Sequence, residues 1–318
     1  MTKMEKSVEP KSRYLWIDIL KGIGIVCVIL GHTFIYGDRV YYFHMPLFFI
    51  VGGFLFRNGQ EWLYLFWKST KRIILPFIIY LIVLYLLTSY PPSKWCMLWG
   101  GEYLKGTFGV AWFCPVYYCS LLLLWFIPQN KYIRCLIVML LYILCYIMPD
   151  YPRLHAQAIR VVPMALCYMI IGTLFRDCLI EKKITRIKVH NLFIVLSCIA
   201  LLLSVPGLRI DMKYASYGIP VVSLFSSVIL TAGIAYVSLF IVQQDNVISN
   251  IMAYFGRNTL SYMFVHQYVN IEIVSLLFER NYNSLEYSIL GFLSTLSITI
   301  FVTFIYDRIK HYLQTFGL

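Results

Sequence analysis

Residues 15–35 read LWIDILKGIGIVCVILGHTFI, an apolar run broken only by Asp18, Lys21 and His32. About 20 such residues cross the hydrocarbon core of a bilayer as one helix. Ionisable groups inside that run cost about 2.5 to 3.5 kcal/mol each near the helix centre, so they need partners or a polar cavity. At 100° per residue Lys21 and His32 fall on nearly one face, about 16 Å apart along the axis. Asp18 shares that side and is spaced for an i, i+3 ion pair with Lys21. His32 follows Gly31, where a missing side chain lets a substrate or another backbone come close. Its alternative reading is a satisfied structural histidine.

The pattern recurs along the chain. Of 318 residues 60% are hydrophobic and 13% charged, against about a quarter charged in an ordinary soluble domain; the mean hydropathy is +0.73. Apolar segments near 15–35, 43–56, 73–89, 112–127, 132–148, 159–175, 191–205, 219–242, 258–278 and 287–306 predict an all-α, polytopic membrane bundle of about ten transmembrane helices. Residues 1–318 read as a single domain with no appended soluble domain. With the N-terminus cytoplasmic, 18 of the 27 lysines and arginines fall on the inner side and eight on the outer, leaving Lys21 within a span. That asymmetry places both termini inside. It also accounts for the net charge of +12 without a nucleic-acid partner. Nine cysteines without a CxxC pair imply neither a disulfide framework nor a zinc site, and no metal is expected. The absence of GxSxG, HExxH and P-loop motifs disfavours soluble hydrolase mechanisms.

Two further histidines stand at span positions. In YYFHMPLFFI (41–50), Pro46 suits a first helical turn, whose amides lack internal partners, so His44 marks the entrance of the second span. His266 lies in GRNTLSYMFVHQYVN (256–270) with Asn258, Ser261, Tyr262 and Gln267, a polar strip that reads either as helix-to-helix glue or as substrate lining. His155, in an outer loop, reads as solvated. The long outer loop YPPSKWCMLWGGEYLKGTFGVAW (90–112) has the length at which loops tend to carry function. Histidines facing one cavity suit group transfer and proton relay equally.

Five stretches together resemble the membrane acyltransferase-3 family: IDILKGIGIVCVILGHT (17–33), FHMPLFFIVGGFLF (43–56), KSTKRIILPF (68–77), AWFCPVYY (111–118) and NTLSYMFVH (258–266). The family's basic residue and histidine on the first helix fall on Lys21 and His32, and its entry to the second helix on His44, Met45 and Pro46. Its basic cluster before the third falls on Lys68, Lys71 and Arg72, its Trp-Phe element on Trp112 and Phe113, and its late serine-to-histidine helix ends at His266. Between about 130 and 250 only hydropathy matches. Many members have Ser-Gly where this chain has Gly52-Gly53, so a role for that hydroxyl is missing here.

The resemblance, closest to the fucose 4-O-acetylase-like subgroup, implies an integral O-acyltransferase of the bacterial plasma membrane. It would use cytoplasmic acyl-CoA, acetyl-CoA first of all, as co-substrate with no tightly bound cofactor, and a sugar hydroxyl of a surface polysaccharide or glycolipid as acceptor. His32 and His44 become the catalytic candidates, and Lys21, Lys68, Lys71 and Arg72 the donor-binding candidates. Trp112, Tyr117, Asn258, Ser261 and His266 become acceptor or cavity candidates. The competing expectation is a transporter or polysaccharide exporter that relays protons through the same histidines.

Overall fold

The computed structural model describes residues 14–33, 37–148, 150, 152–181, 189–244, 246–277 and 285–315. The basic residues at 3–13 and 182–188 and Arg280, on which part of the charge asymmetry rests, lie outside them. Among the described residues there are helices, turns and one isolated bridge, Asp211 with Ser216, and no strand. The all-α expectation therefore holds.

Helices α1 (Leu15–Thr33) and α2 (His44–Leu55) form an antiparallel pair, since Tyr14 and Trp16 at the start of α1 meet Phe54 at the end of α2. Helix α3 (Trp62–Leu87) contains a π turn at Thr70–Ile74. Then come α4 (Phe113–Leu124), α5 (Lys131–Ile147), α6 (Val162–Glu181), α7 (Val189–Ser204), α8 (Val222–Gln244) and α9 (Val247–Arg257). Helix α10 (Thr259–Tyr268) runs on through a π turn at Val269–Val274, and α11 (Leu285–Thr315) follows.

Among the described residues six stretches are long and apolar enough to cross a membrane: Leu15–Thr33, Trp62–Leu87, Gly106–Leu124, Arg153–Cys178, Val222–Gln244 and Ser288–Ile309. The second expected span, α2, has 12 residues, or about 18 Å of helix. It is shorter than the hydrocarbon core and is buried along almost its whole length. Large apolar side chains of α3 and α11, among them Ile79, Ile82, Leu86, Leu293 and Phe301, face outward, as a lipid-facing surface requires. The chain is a multi-pass membrane protein.

Between helices in lipid, apolar burial contributes little and close backbone packing contributes more. Glycines supply it here. A Cβ on Gly22 would overlap the Met252 carbonyl, and one on Gly256 would overlap the Asp18 carbonyl, so α1 and α9 cross with their backbones in contact. Gly53 against the Met169 carbonyl and Gly172 against the Ile50 carbonyl do the same for α2 and α6. Hydropathy alone gives no sign of α9, which has only 11 residues. Asn246 caps it, its side chain accepting from the Ser249 amide at 3.0 Å.

The end of the bundle bearing His32 is covered by connecting segments. A short helix, Lys94–Trp99, and turns at Gly101–Tyr103 and Gly106–Phe108 make one flap, and the segments Pro152–Val161 and 205–221 make two more. Polar groups tie them together. Arg160 donates to Glu102, to Asp150 (2.5 Å) and to the Tyr214 carbonyl (3.1 Å), and His155 bridges Glu102 (2.9 Å) and Asp150 (2.6 Å). His155, expected to be merely solvated, thus joins two flaps through its contact with Glu102. Ala215, left-handed at φ 51°, turns the chain back so that Asp211 and Ser216 pair.

Candidate active site

Under these flaps lies a cavity of about 340 Å³, the right size for part of a small polar substrate. His32, His44, Met45, Trp112 and Phe113 line it from the bundle, Tyr41 from the turn Gly37–Tyr42 before α2, and Lys105, Gly109, Arg209, Asp211 and Lys213 from the flaps. His32 arrives on the last turn of α1 and His44 on the first turn of α2. The hairpin between these helices returns them side by side.

Tyr41 organises this corner. Its ring stands edge-on to His32 at 6.3 Å and to His44 at 4.7 Å, and the Arg209 guanidinium covers it at 4.5 Å. Burial and then Asp211 push the Tyr41 hydroxyl up to about 12, so it remains a neutral phenol. Arg209 in turn pairs with Asp38 and with Asp211 (3.1 Å).

His266, fully buried on α10, meets His32 with ring centroids 5.4 Å apart and planes tilted by 34°. Its Nδ1 lies 2.8 Å from the Tyr262 carbonyl, and His44 Nδ1 lies 2.8 Å from the Val40 carbonyl. A carbonyl only accepts, so both Nδ1 atoms carry the hydrogen, and in the neutral ring each Nε2 keeps a lone pair. His266 Nε2 is buried without a hydrogen-bond partner among the described residues. Asn270, one turn on, donates to the His32 carbonyl at 3.2 Å and pins the end of α1 to the π turn after α10. Glu272 in the same π turn accepts from Thr88 (2.6 Å) and Thr107 (3.2 Å), holding α3 and the 90–112 loop to it.

The expected site residues divide into groups. His32, His44 and Trp112 line one cavity, and His266 stands directly behind His32. Tyr117 lies off the cavity wall, stacked on Phe49 at 5.9 Å, and its hydroxyl would be 2.5 Å from a Cβ at Gly52. It occupies the room that a side chain at position 52 would need. Ser261 accepts from Tyr80 (2.7 Å) and Asn258 donates to the Tyr254 carbonyl (3.3 Å), so the polar strip serves helix contacts there and the cavity only further along.

Lys21 pairs with Asp18 at 3.5 Å at the far end of α1. Lys68 donates to Gln60 at 3.2 Å, while Lys71 and Arg72 are exposed on the α3 π turn. None of these four cations lines the cavity. Gln267, named in the polar strip, lines the cavity; conversely, Tyr41, Lys105, Arg209, Lys213 and Asn270 belong to the site without having been singled out as functional residues. Tyr41 and the loop lysine lay within quoted stretches. The 205–217 segment offered only hydropathy.

The acyltransferase-domain family model matches residues 14–308, which takes in every residue around the cavity. Searches of curated proteins and of solved structures returned no match.

Proposed function

The chain belongs to this acyltransferase family, and from that premise we propose that it moves an acyl group, acetyl first of all, from acyl-CoA to a sugar hydroxyl of a surface polysaccharide or glycolipid. The observation that carries the reading is the meeting of His32 and His266, from opposite ends of the chain, at 5.4 Å beside a cavity that His44 and Trp112 also line. In the proposed reaction the acceptor oxygen attacks the thioester carbonyl carbon and the His32 imidazole takes its proton. The carbon–sulfur bond then breaks and the CoA thiolate leaves, to be protonated. His266 holds the His32 ring. His44 presents its Nε2 lone pair to an acceptor hydroxyl, and Trp112 gives a sugar ring an apolar wall.

The donor would come from the cytoplasmic side of a bacterial plasma membrane, the side assigned to Lys21, Lys68, Lys71 and Arg72. Lys71 and Arg72 are exposed and pair with no carboxylate among the described residues, as a phosphate-binding role requires. The cavity would then open on the opposite side, where surface glycans are handled. No resident cofactor is needed for this chemistry.

The test is transfer of labelled acetyl from acetyl-CoA to envelope glycans by membranes containing the protein. Transfer is expected with the wild-type chain and not with His32→Ala accumulated to the same level. Transfer by that variant at the wild-type rate would overturn the assignment. Glycan translocation without acyl transfer would favour an exporter.

A further inference from the structure

The cavity is strongly biased in charge at its outer rim. Three cations line it, Lys105, Arg209 and Lys213, against one carboxylate, Asp211. Arg209 is engaged by Asp211 and Asp38. The two lysines are not: neither has a carboxylate within ion-pair distance among the described residues, and the neighbouring Glu102 is held by Arg160 and His155. Lys213 is fixed by donating to the Leu104 carbonyl at 2.6 Å, which uses one of its three hydrogens.

A second donor converges on the same place. Gln267 is 8% exposed, its Oε1 has no hydrogen-bond partner among the described residues, and it lines the cavity. Its Nε2 and the Lys213 Nζ each lie 3.7 Å from the point where a Cβ at Gly109 would sit. Gly109 has none, and the Gly106 carbonyl oxygen, 2.9 Å from the same point, bounds that space on one side, so the two donors face the cavity beside Gly109. A half-buried ammonium whose nearest carboxylates, Asp211 and Glu102, stand beyond ion-pair distance is costly unless something fills the space beside it.

We infer that Lys213, Lys105 and Gln267 form a subsite for an anionic group of the acceptor, a carboxylate or a phosphate carried close to the hydroxyl that is acylated. This rests on the acceptor entering the cavity as proposed above. An acidic sugar or a sugar phosphate would place its oxygens between Lys213 and Gln267, clear of the Gly106 carbonyl, with both side chains donating to them and Lys105 supplying charge from the rim. Burial already disfavours the ammonium of Lys213, which is pushed down to about 8; an anion beside it offsets that loss. A neutral sugar would leave the lysine charges uncompensated, while the Gln267 Oε1, an acceptor, takes a hydroxyl hydrogen from either kind of sugar.

The experiment is binding to the detergent-purified full chain without acyl donor, followed by the shift in thermal midpoint. The probes are a methyl glucuronoside, glucose 1-phosphate and the neutral methyl glucoside. The acidic probes are expected to stabilise the protein at concentrations about ten-fold below the neutral one, as charge-assisted hydrogen bonds require. Whichever of the two acidic probes acts at the lower concentration identifies carboxylate or phosphate as the preferred group. Lys213→Gln should abolish the preference and Lys213→Arg should keep it. Lys105→Gln, which removes no hydrogen bond seen here, should weaken it and covers the case in which Lys213→Gln fails to fold. Gly109→Val should block all three probes.

Equal response to acidic and neutral probes would overturn the inference. So would a Lys213→Gln variant that loses binding of adenosine 3′,5′-bisphosphate instead, because the subsite would then belong to the donor. Since no acyl donor is present, a failure here leaves acyl transfer untouched, and a failure of acyl transfer leaves this result standing.

Discussion

His32 on α1 and His266 on α10 lie ring to ring, 5.4 Å between centroids, and the Nε2 of His266 is buried with no hydrogen-bond partner among the described residues. Nδ1 of His266 is held by the Tyr262 carbonyl, so the ring cannot rotate without losing that bond. Its position behind His32 suits orientation of the His32 ring better than contact with the acceptor.

Removing the two rings should therefore have different consequences. His32→Ala is expected to lower acyl transfer by about 10²- to 10⁴-fold, the usual contribution of a positioned general base. His266→Ala should reduce kcat by about 100-fold through misplacement of His32 while leaving the KM for acetyl-CoA unchanged. Steady-state kinetics on membranes matched for protein content distinguish the cases. A rise in donor KM with kcat preserved would remove His266 from the reacting end of the molecule.

Glycine contacts make a second prediction, this time about folding. Gly53→Ala and Gly256→Ala each push a methyl into a backbone carbonyl, of Met169 and Asp18 respectively, and neither helix pair can separate without opening the core. Each should cost about 1 to 3 kcal/mol, as over-packing does, seen as reduced accumulation and a lower thermal midpoint in detergent. Gly233→Ala meets only side chains, Ile199 at 3.1 Å and Val195 at 3.6 Å, and should accumulate normally.

Gly52 and Tyr117 are coupled. A Cβ at Gly52 would lie 2.5 Å from the Tyr117 hydroxyl and 2.9 Å from its ring, so Gly52→Ser should destabilise this chain. Tyr117→Leu removes the obstruction, and the double variant should be more stable than Gly52→Ser alone. A double-mutant cycle on thermal stability reads the coupling directly; additive effects would separate the two sites.

Acceptor binding should depend on pH through Lys213. Burial pushes this lysine from its usual 10.5 down to about 8, with Asp211 and Glu102 opposing the shift and Lys105 adding to it. The ammonium that would hold an anion is present below pH 8 and lost above it, so the acceptor KM should rise as pH passes 8. Protein stability moves the other way. Between about pH 8 and 10.5 the unfolded chain holds the extra proton, so the contribution of Lys213 to stability grows with pH. Acceptor KM in wild type, compared with Lys213→Arg, measures the first effect, and thermal midpoints measure the second. An acceptor KM that stays flat above pH 8 in the wild type would exclude Lys213 from the acceptor.

The sequence by itself determined the solvent and the class of fold, because hydropathy over helical lengths leaves few alternatives to an all-α membrane bundle. The motifs around Lys21, His32, His44 and His266 also pointed to the acyltransferase family, which the match over residues 14–308 bears out. Local spacing was enough for the Asp18–Lys21 pair, which forms at 3.5 Å as an i, i+3 contact. Only the tertiary structure decided which polar groups share a cavity. Ser261 and His266 sit on one helix, yet one meets Tyr80 and the other His32, because neighbours depend on how helices cross and not on spacing along one of them. Lys213 and Gln267 come from different segments and converge over a glycine of a third. No periodicity records such a meeting, which depends on flaps held together by side-chain bonds between distant loops.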